Sequence, residues 1–281
     1  MGIATSLRRA DLITKHSWRV LWHNRDLMVL PIASAGTIGV VALVFAAGIF
    51  GMDALFGDPD DRGGAANALF LLYGFCLYLS VYTAANVFNV ALIYAVMGRL
   101  EGAPRSAGEG LRFALTLLPQ ILVWSAICAT IGLLLRAIGS RLGSIGEILF
   151  GLAQVAWAMA TFFVLPVLVA ERAGTLDAID RSSMIMQRKW GTSVAADFGV
   201  AFLIYIALAV AIMAIIVASD VMPTGYYYPS IVVVGAVLGC FILILTTLGT
   251  VLRTALYRYA TTGEVPDDYD PDRFQSAFRS E

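Results

Sequence analysis

Six stretches of the chain stay apolar long enough to cross a bilayer: residues 28–50, 67–97, 117–137, 147–170, 194–219 and 230–256. A helix needs about 20 predominantly apolar residues to traverse the hydrocarbon core. It also satisfies its own backbone there, where no water can. The expected fold class is therefore an all-α polytopic membrane protein with six transmembrane helices. The remaining composition agrees, since 59% of the residues are hydrophobic and only 14% charged, against about 25% charged in soluble domains.

The few charges set the expected orientation, because cytoplasmic flanks carry excess Lys and Arg. Arg8, Arg9, Lys15, Arg19 and Arg25 precede the first span; Arg99, Arg105 and Arg112 follow the second. Arg172, Arg181, Arg188 and Lys189 follow the fourth, and Arg253, Arg258, Arg273 and Arg279 end the chain, leaving only Arg62, Arg136 and Arg141 for the other side. Both termini are thus expected in the cytoplasm of a prokaryotic cell, with the spans in its cytoplasmic membrane. Tyr226, Tyr227 and Tyr228 are expected as interfacial anchors at the outer side.

Each pair of spans follows a partly polar segment of helical period, at residues 6–26, 107–118 and 176–190. Ser106 and Glu109 have the spacing of a capping box for the second. The chain therefore reads as three pseudo-repeated units, each a surface amphipathic helix plus two spans. In domain terms these are an interfacial helix over 1–27, a six-helix domain over 28–256 and an acidic tail over 257–281, with disorder the default for the tail. Arg8, Arg9, Lys15, Trp18, Arg19, Trp22, Arg188, Lys189 and Trp190 are the candidates for contact with anionic lipid headgroups.

Few residues of the chain could carry chemistry. His16 and His23 are the only histidines, too few for a metal centre, and Cys76, Cys128 and Cys240 sit singly in apolar runs as small buried hydrophobes. No paired acids, HExxH, GxSxG or phosphate loop is present in the sequence. The expectation is a protein without enzymatic activity, cofactor, metal or nucleic-acid partner. Polar residues within spans carry the remaining interest. Asn86, Asn89, Gln120, Gln154 and Asp197 form the candidate intramembrane polar cluster. They either hold helices together, each hydrogen bond contributing about 0.6 kcal/mol, or line a solute path; the lack of accompanying charge favours holding. Gly235 with Gly239 and Ala207 with Ala211 are small-xxx-small pairs for close helix contact, within one chain or between copies of a homo-oligomer or larger complex. Pro119 and Pro166 are expected to bend their helices.

The segments NVFNVAL, ATIGLLLRAI, ATFFVLPVLVAE and RKWG resemble an uncharacterised family of bacterial and archaeal six-span membrane proteins, catalogued as a domain of unknown function, over roughly residues 10–260. The resemblance implies the six-helix fold with cytoplasmic termini and supplies no activity. A scaffold or accessory membrane subunit is the expected role, with a transporter or channel for a small-molecule or amphipathic solute, or a lipid-directed protein, as alternatives.

Overall fold

A computed structural model describes residues 25–56, 63–139, 143–189 and 224–263. After a 3-10 turn at Arg25–Met28 come α1 (Val29–Phe56), α2 (Gly64–Leu100), α3 (Ala107–Thr116) and α4 (Leu118–Gly139). α5 (Gly143–Ala160), α6 (Val164–Glu171), α7 (Thr175–Lys189) and α8 (Thr224–Thr262) complete the described elements, all helical. Four helical stretches are long and apolar enough to cross a membrane: Asp26–Met52, Gly64–Leu100, Leu149–Glu171 and Phe241–Thr262. A fifth is reached if the bent pair of α3 and the start of α4 is one span. This is a helical membrane protein. The expected span at 194–219, the first surface helix up to residue 24 and the acidic tail from residue 264 lie outside the described residues, whereas 257–262, expected as the start of the tail, continue α8 as helix.

Two compact units divide the chain, Val29–Met186 and a second drawn from its two ends. Within the first, α2 is the axis. Its 37 residues rise about 56 Å, well beyond the roughly 30 Å hydrocarbon core. Burial along α2 is uneven, and that locates the core. Leu69, Leu71 and Leu72 in its first turns are exposed, whereas Asn86, Val87, Val90 to Ile93 and Ala95 to Gly98 are buried. α1, α3, α4 and α6 all pack on this helix. The densest packing is therefore at the end carrying Arg99, the basic end of the unit. The apolar side chains exposed elsewhere, including Leu43, Phe50 and Leu152, suit a hydrocarbon surround, in which exposing a leucine has no aqueous penalty.

The chain turns sharply where α3 meets α4. Their axes differ by 76°, so if α4 follows the membrane normal α3 lies close to the membrane plane. The turn falls at Leu117, whose N–H bonds Ala114 O at 3.1 Å and whose carbonyl accepts from Ile121 N–H at 2.9 Å. This corrects the expected bend at Pro119. That proline sits in the first turn of α4, where a missing N–H leaves no helix bond unmade.

In the second unit, α8 carries a buried row of hydroxyls that the sequence reading passed over. Thr247, Thr250 and Thr254 are buried, and each donates to the carbonyl four residues back, Leu243, Thr246 and Thr250 respectively, at 2.6, 3.0 and 2.8 Å. Back-bonding of this kind hides the hydroxyl from an apolar environment.

Candidate functional site

The candidate site is the packed basic end of Val29–Met186, and one of its buried polar contacts begins with Asn86. The side chain is 8% exposed, and its Nδ2–H donates at 3.0 Å to Oγ of the fully buried Ser125 on α4. Asn89, one turn along α2, is half-buried and also engaged. Gln120 lies near the start of α4, where its main-chain carbonyl accepts from Thr175 Oγ1 at 3.0 Å. Its Oε1 is buried with no hydrogen-bond partner among the described residues.

Gln154 lies elsewhere. It is exposed and lines a cleft of about 730 Å³ with Phe70, Phe75, Tyr78, Gly132 and Phe150. Two turns of α2 separate Tyr78 from Asn86, so the amides expected as one cluster occupy two environments, one closed and one open. Asp197 lies outside the described residues.

Because Asn86 and Ser125 satisfy each other, replacing one is expected to cost more than replacing both. Asn86→Ala should destabilise the protein by about 0.6–1.7 kcal/mol. In a double-mutant cycle with Ser125→Ala, part of that loss is recovered, the coupling lying in the same range. Unfolding in detergent by circular dichroism reads both; strict additivity would mean that the bond contributes nothing.

The second feature is a break in the path from α5 to α6. Residues 161–163 leave the α-helix, and the ladder there is patched by Phe162 N–H to Met159 O at 3.3 Å and Val164 N–H to Thr161 O at 3.2 Å. A side chain from α7 takes two further backbone groups at the break. Ser182 Oγ accepts from Phe163 N–H at 3.0 Å and donates to Ala160 O at 2.7 Å. Ser182 and Phe163 are fully or almost fully buried. Broken helices persist in membranes only where a neighbour re-satisfies the freed groups, and Ser182 is that neighbour. Pro166, expected as the bend, stands three residues into α6, so the interruption precedes it by about one turn, much as at Pro119.

Aromatic and cationic side chains fasten α3 to this assembly. Tyr94 of α2 stacks on Phe113 of α3, with ring centroids 4.1 Å apart and planes 14° from parallel. Arg105 lies 4.4 Å from the Tyr94 centroid, and Arg172 lies 5.2 Å from that of Phe113. Two guanidiniums thus flank a stacked pair, each attracted to a ring face by its quadrupole. Arg105 also bonds Tyr94 O at 3.3 Å and Glu101 at 2.7 Å. Arg172 ends α6 with φ 49° and ψ 31°, a left-handed conformation uncommon for a side chain of this size.

α3 can approach α2 this closely because it has no side chain at the crossing. A Cβ on Gly110 would stand 2.5 Å from the carbonyl oxygen of Ala91. Gly98 is similarly confined, with Ala103 O 2.6 Å from the position of a Cβ. Gly48 is confined too, by the hydroxyl end of the Tyr73 side chain and not by backbone. The expected pair differs: a Cβ on Gly239 would meet no described atom within 4 Å, Gly235 lies in α8, and Ala207 and Ala211 are outside the described residues. Spacing marks where a glycine could admit a helix, and only the partner's path decides whether one comes.

The start of α3 follows the expected capping box, with Ser106 Oγ accepting from Glu109 N–H at 3.2 Å and Glu109 accepting from Ser106 N–H at 2.7 Å. The backbone and hydroxyl bonds from Ser106 hold the Glu109 carboxyl below its ordinary range, with lesser help from Arg112 and Arg105. A carboxyl lowered on folding stabilises above its unfolded pKa, and the effect is lost as pH falls through the folded value. Amide exchange in the first turn of α3 should therefore quicken only once pH drops below the ordinary glutamate range. In Glu109→Gln that acid-dependent step should vanish.

Arg188 and Lys189 fall in the last turn of α7, while Arg8, Arg9, Lys15, Trp18, Arg19, Trp22 and Trp190 lie outside the described residues. Cys76, expected to be buried, is exposed on the apolar part of α2, and Cys128 is half-buried. Among the described residues no group of three or more His, Cys, Asp or Glu could hold a metal ion.

The sequence pattern that defines DUF6159, a family of unknown function, matches residues 67–266. The chain belongs to DUF6159. The match agrees with the resemblance carried by the four motifs, although it starts at residue 67 and so leaves α1 outside. All the contacts described above from Asn86 to Ser182 fall within the matched part. No curated protein and no solved structure matches the chain.

Proposed function

We propose that this DUF6159 member is a non-enzymatic scaffold or accessory subunit of a prokaryotic cytoplasmic membrane, with six spans and both termini in the cytoplasm. The observation that carries the reading is the closed bond between Asn86 and Ser125: the most deeply placed amide of α2 is used on a neighbouring helix. Around it, α3 and α7 turn their buried faces inward, Gly110, Phe113 and Ala114 on one and Ala178, Ser182 and Ile185 on the other. That arrangement supports a rigid platform on the side where basic residues collect. In keeping with the pseudo-repeat, α3 leads into the longer apolar helix α4, while the residues that follow α7 lie outside the described ones. Native mass spectrometry of the full chain extracted in mild detergent tests the role. An assembly of several chains, or one fixed stoichiometric partner, is expected; a stable lone monomer contradicts it.

A second reading, passage of a small or amphipathic solute, draws on the cleft beside Gln154. It requires water to reach that residue. Labelling of a Gln154→Cys variant by a membrane-impermeant thiol reagent would favour it, and complete protection would favour a lipid-filled cleft.

A further inference from the structure

α3 and the start of α7 bury one face each, which leaves their other faces to be explained. On α3 the exposed side includes Arg112 and, three residues on, Leu115, 53% exposed. Near it lie exposed Arg172 and Leu176, the latter 68% exposed. Two contacts draw these segments together: Arg172 rests on the Phe113 ring, and Thr175 bonds the carbonyl of Gln120. Cations alternating with bare leucines are unusual for a purely aqueous surface and usual for one that sits at lipid headgroups.

The acids nearby are mostly committed. Glu101 is paired with Arg105 and Glu171 with Arg181, at 2.7 and 3.2 Å. Glu109 is held by Ser106 while feeling the charge of Arg112. Asp177 occupies the first turn of α7, where the helix dipole favours an anion, and exposed Asp180 one turn beyond Leu176 bounds the patch. Neither Arg112 nor Arg172 makes a salt bridge among the described residues, so their N–H donors remain for an anion. With α4 along the membrane normal, the 76° bend between α3 and α4 would lay α3 close to the plane in which lipid phosphates lie.

From this geometry we infer that Arg112 and Arg172, with Leu115 and Leu176 between and beside them, form a docking surface for anionic phospholipid headgroups. The phosphates meet the guanidiniums, and the leucines enter the region below. The surface fixes how deeply the platform sits and selects the lipid around it. The inference rests on the membrane reading and is independent of whether the protein assembles with partners.

The test is binding of phosphatidylglycerol and phosphatidylcholine with identical acyl chains to the full-length protein, measured by native mass spectrometry. Phosphatidylglycerol should bind more tightly, and each arginine removed should weaken that preference roughly fivefold, on the scale of one basic residue near an anionic surface. Arg112→Gln alone tests the charge without disturbing a described packing contact, and Arg112→Lys should keep the preference. Adding Arg172→Gln should reduce it further. A wild-type protein indifferent to headgroup charge would overturn the inference, as would a preference unchanged in Arg112→Gln and in the double variant. Either failure would leave the assembly state, read in the same spectra, to judge the scaffold role separately.

Discussion

Ser182→Ala is expected to be among the most damaging single substitutions in the protein. Its hydroxyl serves Phe163 N–H and Ala160 C=O together, and alanine would orphan both in a buried site. At about 1–3 kcal/mol for each unsatisfied group, the loss is on the order of 2–6 kcal/mol, a large share of a typical stability of 5–15 kcal/mol. That exceeds the roughly 0.6 kcal/mol average for interhelical hydrogen bonds in membranes, because the groups left behind belong to a broken backbone that cannot readily turn to another partner. Ser182→Thr keeps the oxygen and should lose less, its added methyl costing about 1–3 kcal/mol in a filled site. Unfolding of the detergent-solubilised variants reads the difference. Wild-type stability in Ser182→Ala would show that the break is sustained by something else.

Gly110→Val should separate α3 from α2. The new Cβ would stand 2.5 Å from Ala91 O, and a helix carbonyl cannot swing aside as a flexible side chain would. Overpacking costs about 1–3 kcal/mol even where neighbours adjust, so a loss at or above the top of that range is expected. Gly110→Ala gains up to about 1 kcal/mol in helix propensity and should still come out destabilised. Gly108→Ala is the control within the same helix, since its Cβ would meet nothing within 4 Å; it should be neutral or slightly stabilising. The stacking of Tyr94 on Phe113 depends on the same approach, so tyrosine fluorescence should change in Gly110→Val and not in Gly108→Ala. Equal stability of the two alanine variants would refute the close crossing.

The helices were legible because lipid imposes one solution on a long apolar run, and the cap at Ser106 was legible because its two bonds are local. Asn86 stood out as an amide among hydrocarbons, but its partner did not. Ser125 and Ser182 are small residues that a helix tolerates without comment, and their use depends on which helix passes beside them. The same limit explains the prolines. Pro119 and Pro166 mark the neighbourhood of an interruption, while the breaks at Leu117 and at 161–163 lie upstream, where the chain prepares a first turn that can accept a proline. Gly110 differs from Gly239 by nothing in its local sequence spacing that reveals the crossing of α2. Distance along a helix can be read from a sequence; the identity of the neighbour across it is tertiary information.

The central claim, that the buried amide of α2 holds helices together and lines no path, is tested most directly by solvent access at position 86. In a background with Cys76, Cys128 and Cys240 replaced, Asn86→Cys would be exposed in proteoliposomes to a small, membrane-impermeant thiol reagent from each side in turn. The packed interface with Ser125 predicts no modification from either side over a time that fully labels an exposed control such as Arg112→Cys. Rapid labelling at position 86 would place water at the amide and contradict the account.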